Sequence, residues 1–540
     1  MGVTLKSVIS GFILAVIMCA ANSYLTLKAG VIEEGPIIAA LIFTGIFFAL
    51  KQKVTTTEAM IAATMGSAGG SFGFVTNIFA AFQMVGITLT TGQMMLLTLS
   101  TGVFSVLMAI PFYYLFIVKE TLPWVVGEAC ANVIQNTVAS KDTKQGKIIL
   151  WFTILFFGVL MLQGKMWMPE MSDFYTFGMV GVGLAWSPFF LSAGGLLGLR
   201  TGWGFVVGAL LLVIVSPYTN KPAAPHKFFY PGVAFLITSG LTTLVLKWQT
   251  MVSALGALKN IGSDDGGILP LKWLAGLSLV VAMIIVVILK YWFGVPIYLG
   301  IIYIVVGGVF LNLVAIRAAG ETTFNPVRAM GIVTQGIGAL TGAVDKLVNL
   351  TGAGVMAGSN NQTSILCQDL YSGWRLKINP KLQVALQAMV LPVIAVVSVG
   401  IFYFLSSTTE ISLENDKLSA PVAKAWAGFS LILNGDKLPD NALNLMYIFG
   451  IGGVVLALLE GNAAIKRFLP STTGIGIGLI LPIAYSLDFF VGAVIFLILA
   501  KKFKMGEETI SSIAAAGILG EAAGGLLNGA LKVAGIFPLE

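Results

Sequence analysis

The densest run of polar side chains is Gly358-Ser-Asn-Asn-Gln-Thr-Ser-Ile-Leu-Cys-Gln-Asp369-Leu-Tyr-Ser-Gly373, set between long apolar stretches. Coiled as a helix, it carries Ser359, Gln362 and Asp369 on one stripe and Asn361, Ser364, Gln368 and Tyr371 on another. Amides facing hydrocarbon would lose their hydrogen bonds without return. The helix must therefore face a cavity or the protein interior, where the same groups can hold a polar solute.

An acid inside an apolar segment needs a partner, a proton or water, because a charge at the bilayer centre costs about 2.5–3.5 kcal/mol on insertion scales. Glu128, Glu321, Asp369, Glu460 and Glu521 are such acids. Desolvation favours the neutral form, as proton loading requires; the alternative is a paired structural carboxylate, which suits Glu460 beside Lys466 and Arg467. Glu128, Asn132 and Gln135 fall at i, i+4 and i+7 after Leu122-Pro123, and Glu521, Gly525 and Asn528 repeat that spacing. Each stripe fits either a cavity wall or helix-to-helix hydrogen bonding. In Glu321-Thr-Thr-Phe-Asn-Pro-Val-Arg328, Pro326 disfavours helix at Asn325, so a break is expected. Arg328 is placed to pair with Glu321, to take a substrate carboxylate bidentately or to face headgroups. These residues nominate Asn77, Asn325, Arg328, Asn361, Gln368 and Tyr371 as a binding surface, and Asp369, Glu128, Glu321 and Glu521 as proton-accepting groups.

The scaffold that must position them is a membrane protein. The 540 residues are 57% hydrophobic and 10% charged, with a mean hydropathy of +0.93, whereas water-facing domains run nearer about 25% charged. At about 20 residues per crossing the length allows roughly 14 to 16 spans. The clearest are Ser7–Leu27, Pro36–Leu50, Met94–Val118, Lys147–Gln163, Gly202–Ser216, Phe228–Leu246, Leu271–Leu289, Ile297–Ile316, Val384–Leu405, Asn441–Leu459 and Leu487–Leu499. Stretches 58–86, 122–138, 172–199, 324–345, 352–371, 468–485 and 507–537 read as interrupted or re-entrant helices, and irregular backbone at membrane depth belongs along a wet cavity. The apolar start after Lys6 reads as an uncleaved span, not a signal peptide.

The net charge of +7 sits mainly in short basic loops at Lys51/Lys53, Lys141/Lys144/Lys147, Arg375/Lys377/Lys381, Lys466/Arg467 and Lys501/Lys502/Lys504. That is a cytoplasmic signal more than a nucleic-acid surface, and it puts the amino terminus inside and the mixed-charge loop 406–441 outside. Cys19, Cys130 and Cys367 form no CxxC, His226 is the sole histidine, and Asp264-Asp265 lies in a polar loop. Disulfide, zinc, cofactor and histidine-based enzyme chemistry are not expected. Lys28-Ala-Gly30 echoes Arg317-Ala-Ala-Gly320, Met65-Gly-Ser echoes Met356-Ala-Gly-Ser, and Met108-Ala-Ile-Pro111 echoes Met389-Val-Leu-Pro392, at offsets of 290, 291 and 281. The echo predicts two related halves, 1–270 and 271–540, in which Asn77 corresponds to Gln368.

Taken in order, Asn22-Ser-Tyr-Leu-Thr-Leu-Lys-Ala-Gly30, Leu122-Pro-Trp-Val-Val-Gly-Glu-Ala-Cys-Ala131, Gly320-Glu-Thr-Thr-Phe-Asn-Pro326, Gln368-Asp-Leu-Tyr-Ser-Gly373 and Gly517-Ile-Leu-Gly-Glu521 resemble the oligopeptide transporter (OPT) family, in its shorter prokaryotic branch. The resemblance covers nearly the whole chain. It implies an all-α polytopic fold of about 16 transmembrane or re-entrant helices in two pseudo-symmetric halves, working as a proton-coupled symporter by alternating access. Small peptides or metal complexes of peptide-like chelators are the implied cargo, and a prokaryotic cytoplasmic (inner) membrane is the implied location. The Asn-Pro-Gly and Lys-Ile-Pro-Pro-Arg signatures of eukaryotic peptide carriers are missing, so both cargo classes stay open. A passive channel and, more remotely, an intramembrane enzyme are the competing classes, and Gly-rich faces serve either internal packing or a homo-oligomer.

Overall fold

Thr4 starts the first helix by accepting the Ser7 amide, and Gly30 ends it in the left-handed region at φ 67°. In the computed structural model, the residues described are 3–30, 36–140, 144–177, 180–215, 226–246, 268, 271–322, 325, 327–413, 418–436, 441–534 and 536–537. The chain runs α1 (Leu5–Ala29), α2 (Pro36–Ala49), α3 (Thr56–Phe72), a 3-10 turn, α4 (Thr76–Met84), α5 (Thr91–Phe112, extended to Lys119 as a π-helix), α6 (Val125–Ser140) and α7 (Lys144–Gly164). A hairpin of β1 (Met171–Phe177) and β2 (Val180–Ala185) follows, antiparallel with Met171 opposite Ala185. It leads into α8 (Pro188–Leu197), α9 (Leu199–Val215) and α10 (His226–Leu246).

The remainder comprises α11 (Leu271–Phe293), α12 (Ile297–Ile302), a π-helical stretch, α13 (Asn312–Thr322), α14 (Val327–Leu340), α15 (Lys346–Arg375) and α16 (Pro380–Thr408). Then come α17 (Pro421–Leu433), α18 (Ala442–Glu460), α19 (Ala463–Lys466), α20 (Thr472–Gly478), α21 (Ile483–Lys501) and α22 (Glu507–Val533). Among the described residues, 9 helical spans are long and apolar enough to cross a bilayer, joined by shorter apolar helices such as α8, α9 and α17. This is an all-α polytopic membrane architecture.

Several expectations change. Segment 172–199 opens as a hairpin because Tyr175, Phe177, Val180 and Val182 favour extended chain, and strand pairing satisfies the backbone there. Segments 352–371 and 507–537 are not interrupted: α15 and most of α22 are continuous, since neither holds a proline and glycine alone costs a helix only about 1 kcal/mol. The 406–441 loop contains α17, whose Trp426 is 1% exposed and meets Phe74 edge-on at 5.5 Å. The Ala420 N–H donates to the Leu27 carbonyl at 2.7 Å, docking this segment on the end of α1. Glu414, Asp416, Asp264-Asp265 and the boundary at 270/271 lie wholly or partly outside the described residues.

Among the described residues, the two largest apolar cores both take side chains from α1. Ala15, Cys19 and Leu27 join the core of α3, α5, α15 and α16, while Met18 and Leu25 join Phe189, Phe190, Phe205, Tyr485 and Phe489. A Cβ on Gly69 would collide with the Ala15 carbonyl, so α1 and α3 meet backbone to backbone. They run parallel, since Thr4 meets Glu58 near one end and Asn77 meets Thr26 towards the other. α15 runs antiparallel to α3, with Ser67 on Asp369 and Asn361 on the Ser71 carbonyl.

Candidate functional site

Every position of α15 from Val348 to Gly373 is buried, polar and apolar alike, so its amides and hydroxyls are satisfied by neighbouring helices or by what those helices enclose. Asp369, the sole acid of α15, is fully buried. Its Oδ2 accepts from the Ser67 hydroxyl and from Gln387 Nε2 at 2.9 Å. Gln387 Oε1 accepts from Gln362 Nε2 at 2.8 Å, and Gln362 Oε1 accepts from the Ser71 hydroxyl. Gln383 Nε2 donates to the Asp369 carbonyl at 2.8 Å and to Thr64 Oγ1 at 3.1 Å. Asn361 Nδ2 donates to the Ser71 carbonyl at 3.2 Å.

The result is a lane of amides and hydroxyls shared by α3, α15 and α16. Around α15 and α16, Gln368 Oε1, Gln383 Oε1, Asn360 Oδ1, Ser359 Oγ and Ser364 Oγ are buried without a hydrogen-bond partner among the described residues, Asn360 on the other side of α15, where its amide donates to Asn312 Oδ1 at 3.2 Å. Leaving such a group unmatched costs about 1–3 kcal/mol, so each of these atoms calls for a polar partner. Asn77 is buried on α4 and donates to Thr26 Oγ1 at 2.7 Å, with its Oδ1 unmatched. It sits on the α1 side of the lane and does not join the Asp369 network.

At the basic end of α15, Arg375 grips Glu128 with two bonds of 2.7 Å, and the Tyr371 hydroxyl adds a third at 3.1 Å. Glu128 is 31% exposed and Arg375 47%. Asn132 and Gln135 are exposed, so the α6 stripe faces outward and lines no interior cavity. Near the expected break, helix ends at Thr322 and resumes at Val327. Asn325 has both amide atoms buried and without a partner among the described residues, while the side chains of Glu321 and Arg328 lie outside the described residues.

The remaining acids are paired. Glu460 bonds Arg200 at 2.5 Å and the Thr472 hydroxyl at 2.6 Å, a structural role with a different cation from the sequence neighbours Lys466 and Arg467. Glu521 stands apart from the lane: its Oε1 meets Lys28 Nζ at 2.6 Å, and its Oε2 accepts from the Ser187 hydroxyl at 2.6 Å and the Phe189 N–H at 2.9 Å. Asn528, on the same stripe, donates to the Leu160 carbonyl at 2.6 Å and ties α22 to α7. Sequence reasoning passed over Ser67, Ser71, Gln387, Lys28, Ser187 and Asp488. The signals were present: Gln383 and Gln387 stand one turn apart at the start of an apolar helix, and Asp488 is the sole acid in α21.

Among the described residues no group of three His, Cys, Asp or Glu side chains is placed to hold a metal ion. A family model for OPT oligopeptide transporter proteins matches residues 2–230 and 243–532. The chain belongs to the OPT oligopeptide transporter family. A Saccharomyces cerevisiae protein bearing an oligopeptide-transporter name is 28% identical over 226 residues, 40% of this chain and 31% of that protein. An Oryza sativa subsp. japonica protein with a metal-nicotianamine-transporter name is 25% identical over 218 residues, 39% of this chain and 31% of its own length. A metal-nicotianamine transporter of Arabidopsis thaliana is 26% identical over 246 residues, 44% of this chain and 37% of its own. The matched region thus spans about a third of each of these OPT relatives.

Proposed function

We propose that this OPT protein is a secondary active transporter that moves small peptides, or metal complexes of peptide-like chelators, together with protons by alternating access. The observation that carries the reading is the fully buried polar helix α15 with the amide lane along it, where unmatched carbonyls and hydroxyls suit a solute rich in amides and carboxylates. Asn361, Gln368 and Asn77 offer the contacts on either side, with Asn325 at the break between α13 and α14, and Arg328 stays a further contact by sequence. Asp369 supplies negative charge to the lane, and a proton on it would neutralise the surface that the cargo meets. Tyr371, Glu128 and Arg375 form a closure one turn beyond Asp369, at the basic end read as cytoplasmic in a prokaryotic inner membrane. Glu321 stays a further proton candidate by sequence. The two halves, 1–270 and 271–540, would rock about the lane, to which α3 brings residues of the first and α15 and α16 residues of the second.

Purified protein in proteoliposomes, given an inward proton gradient and a pool of di- to tetrapeptides with ferric and nickel chelates, tests this by mass spectrometry of the lumen. Accumulation above equilibrium that collapses with a protonophore is the expected result. Equilibration without accumulation would indicate a channel, and no flux of any member would overturn the cargo assignment.

A further inference from the structure

We propose that Asp488, beside Ser187, Glu521 and Lys28, is a second proton-binding site, separate from the amide lane and linked to it through α1; the inference rests on the proton-coupled reading above. Glu521 is fully buried, and its three donors satisfy it as an ionised acid balanced by Lys28. Asp488 is 1% exposed. Its Oδ2 faces the Ser187 N–H at 3.5 Å, a long contact for an ionised carboxylate, and the Ala185 N–H is the other backbone donor turned towards it.

Charge counting then decides the matter. One ammonium and two carboxylates share the cluster, so ionising both acids leaves an excess negative charge out of water, which is costly. A proton on Asp488 removes it. The other groups facing the cluster are Tyr24 beside Lys28 on α1, Tyr485 on α21, and Glu170 at longer range. β2 and α8 carry no titratable side chain, and the sole one on α9, Arg200, is committed to Glu460. Counting 1.5 Å per residue back from Lys501 to Asp488 and on from Glu507 to Glu521 puts both acids about 20 Å from the helix ends that flank the basic loop Lys501/Lys502/Lys504. That is deep within a hydrocarbon core about 30 Å thick.

The link to the lane is α1. Tyr24 and Lys28 form an i, i+4 pair on the ionic cluster, while Asn22 and Thr26 form another that bonds the Gly70 carbonyl and Asn77. With Asp488 ionised, Lys28 is attracted to two carboxylates; with Asp488 neutral, it belongs to Glu521 alone. The proton thereby sets the pull on α1 and through it the α3 and α4 side of the lane. The Asp488 O–H is the sole bond made and broken, the proton arriving from one aqueous phase and leaving to the other.

Infrared difference spectroscopy on the purified full chain in lipid, titrated between alkaline and acid pH, tests the site without any cargo. A carboxylic C=O band that grows as pH falls, shifts in heavy water, disappears in Asp488→Asn and survives in Asp369→Asn is expected. A band unaltered by Asp488→Asn, or no titrating carboxyl band in the wild type, would overturn the proposal. Asp488→Glu, which keeps the acid, should move the band without removing it and covers the case in which the asparagine variant fails to fold. Failure of uptake in proteoliposomes would count against the transport reading and leave this spectroscopic result to judge the proton site alone.

Discussion

Asp369 and Glu521 are both fully buried acids, yet a hydroxyl and a carboxamide hold the first, whereas an ammonium, a hydroxyl and a backbone N–H hold the second. The lane around Asp369 is a relay of neutral amides, each the donor or acceptor of the next, with unmatched atoms left over for a solute. The cluster around Glu521 uses its donors on its own charges. On the proposed reading, cargo recognition and proton response fall to two different chemistries, and α1 contacts both.

The contrast is broken most severely at the ion pair. Lys28→Met or Glu521→Gln should destabilise the protein by about 3–5 kcal/mol, since each strands a buried partner. The double variant should lose less than the sum, as a double-mutant cycle on detergent-solubilised protein would read. Next in size is Asp369→Ala, which removes one acceptor of Gln387 at about 1–3 kcal/mol and leaves the Ser67 hydroxyl only the Thr64 carbonyl; thermal unfolding should fall further for Ala than for Asn. Arg375→Ala sharpens the contrast from the other side. Its pair with Glu128 is largely exposed, so stability should change by no more than about 1 kcal/mol, while closure at the basic end should weaken, detected as faster labelling of a cysteine placed at Ser359.

The smallest effect concerns Asp436, where Lys346 at 2.5 Å holds the carboxyl below its ordinary value. A lowered folded-state value stabilises above the unfolded one and is lost as pH falls through the folded one. Lys346→Met should therefore lower stability only slightly at neutral pH, with a difference that starts to shrink near about pH 4 and vanishes only below the lowered folded-state value of Asp436.

Membrane class, the polar helix and the break before Pro326 were legible because each is a local pattern of hydropathy or residue type. So was burial of Asp369, since a carboxylate among amides has nowhere to face but inward. What escaped depends on distant pairing. Lys28 ends an apolar run and reads as an interfacial cation until Glu521 is brought to it. The Glu128 stripe has the same spacing as a cavity wall, but α6 turns it to the outside. The hairpin at 171–185 was hidden because glycine-rich apolar chain suits a broken helix and a strand equally. Asp488 was one acid in a long apolar span, and its neighbours come from α1, α22 and the start of α8.

The division of labour itself is tested most directly by time-resolved uptake into proteoliposomes under an inward proton gradient, using whichever peptide or chelate the wild type accumulates. Gln387→Leu should raise the half-saturating concentration while accumulation stays sensitive to protonophore, and Asp488→Asn should let the cargo equilibrate without accumulating. If both variants shift the same parameter, or if Asp488→Asn still concentrates the cargo, the separation of cargo lane from ionic cluster is wrong.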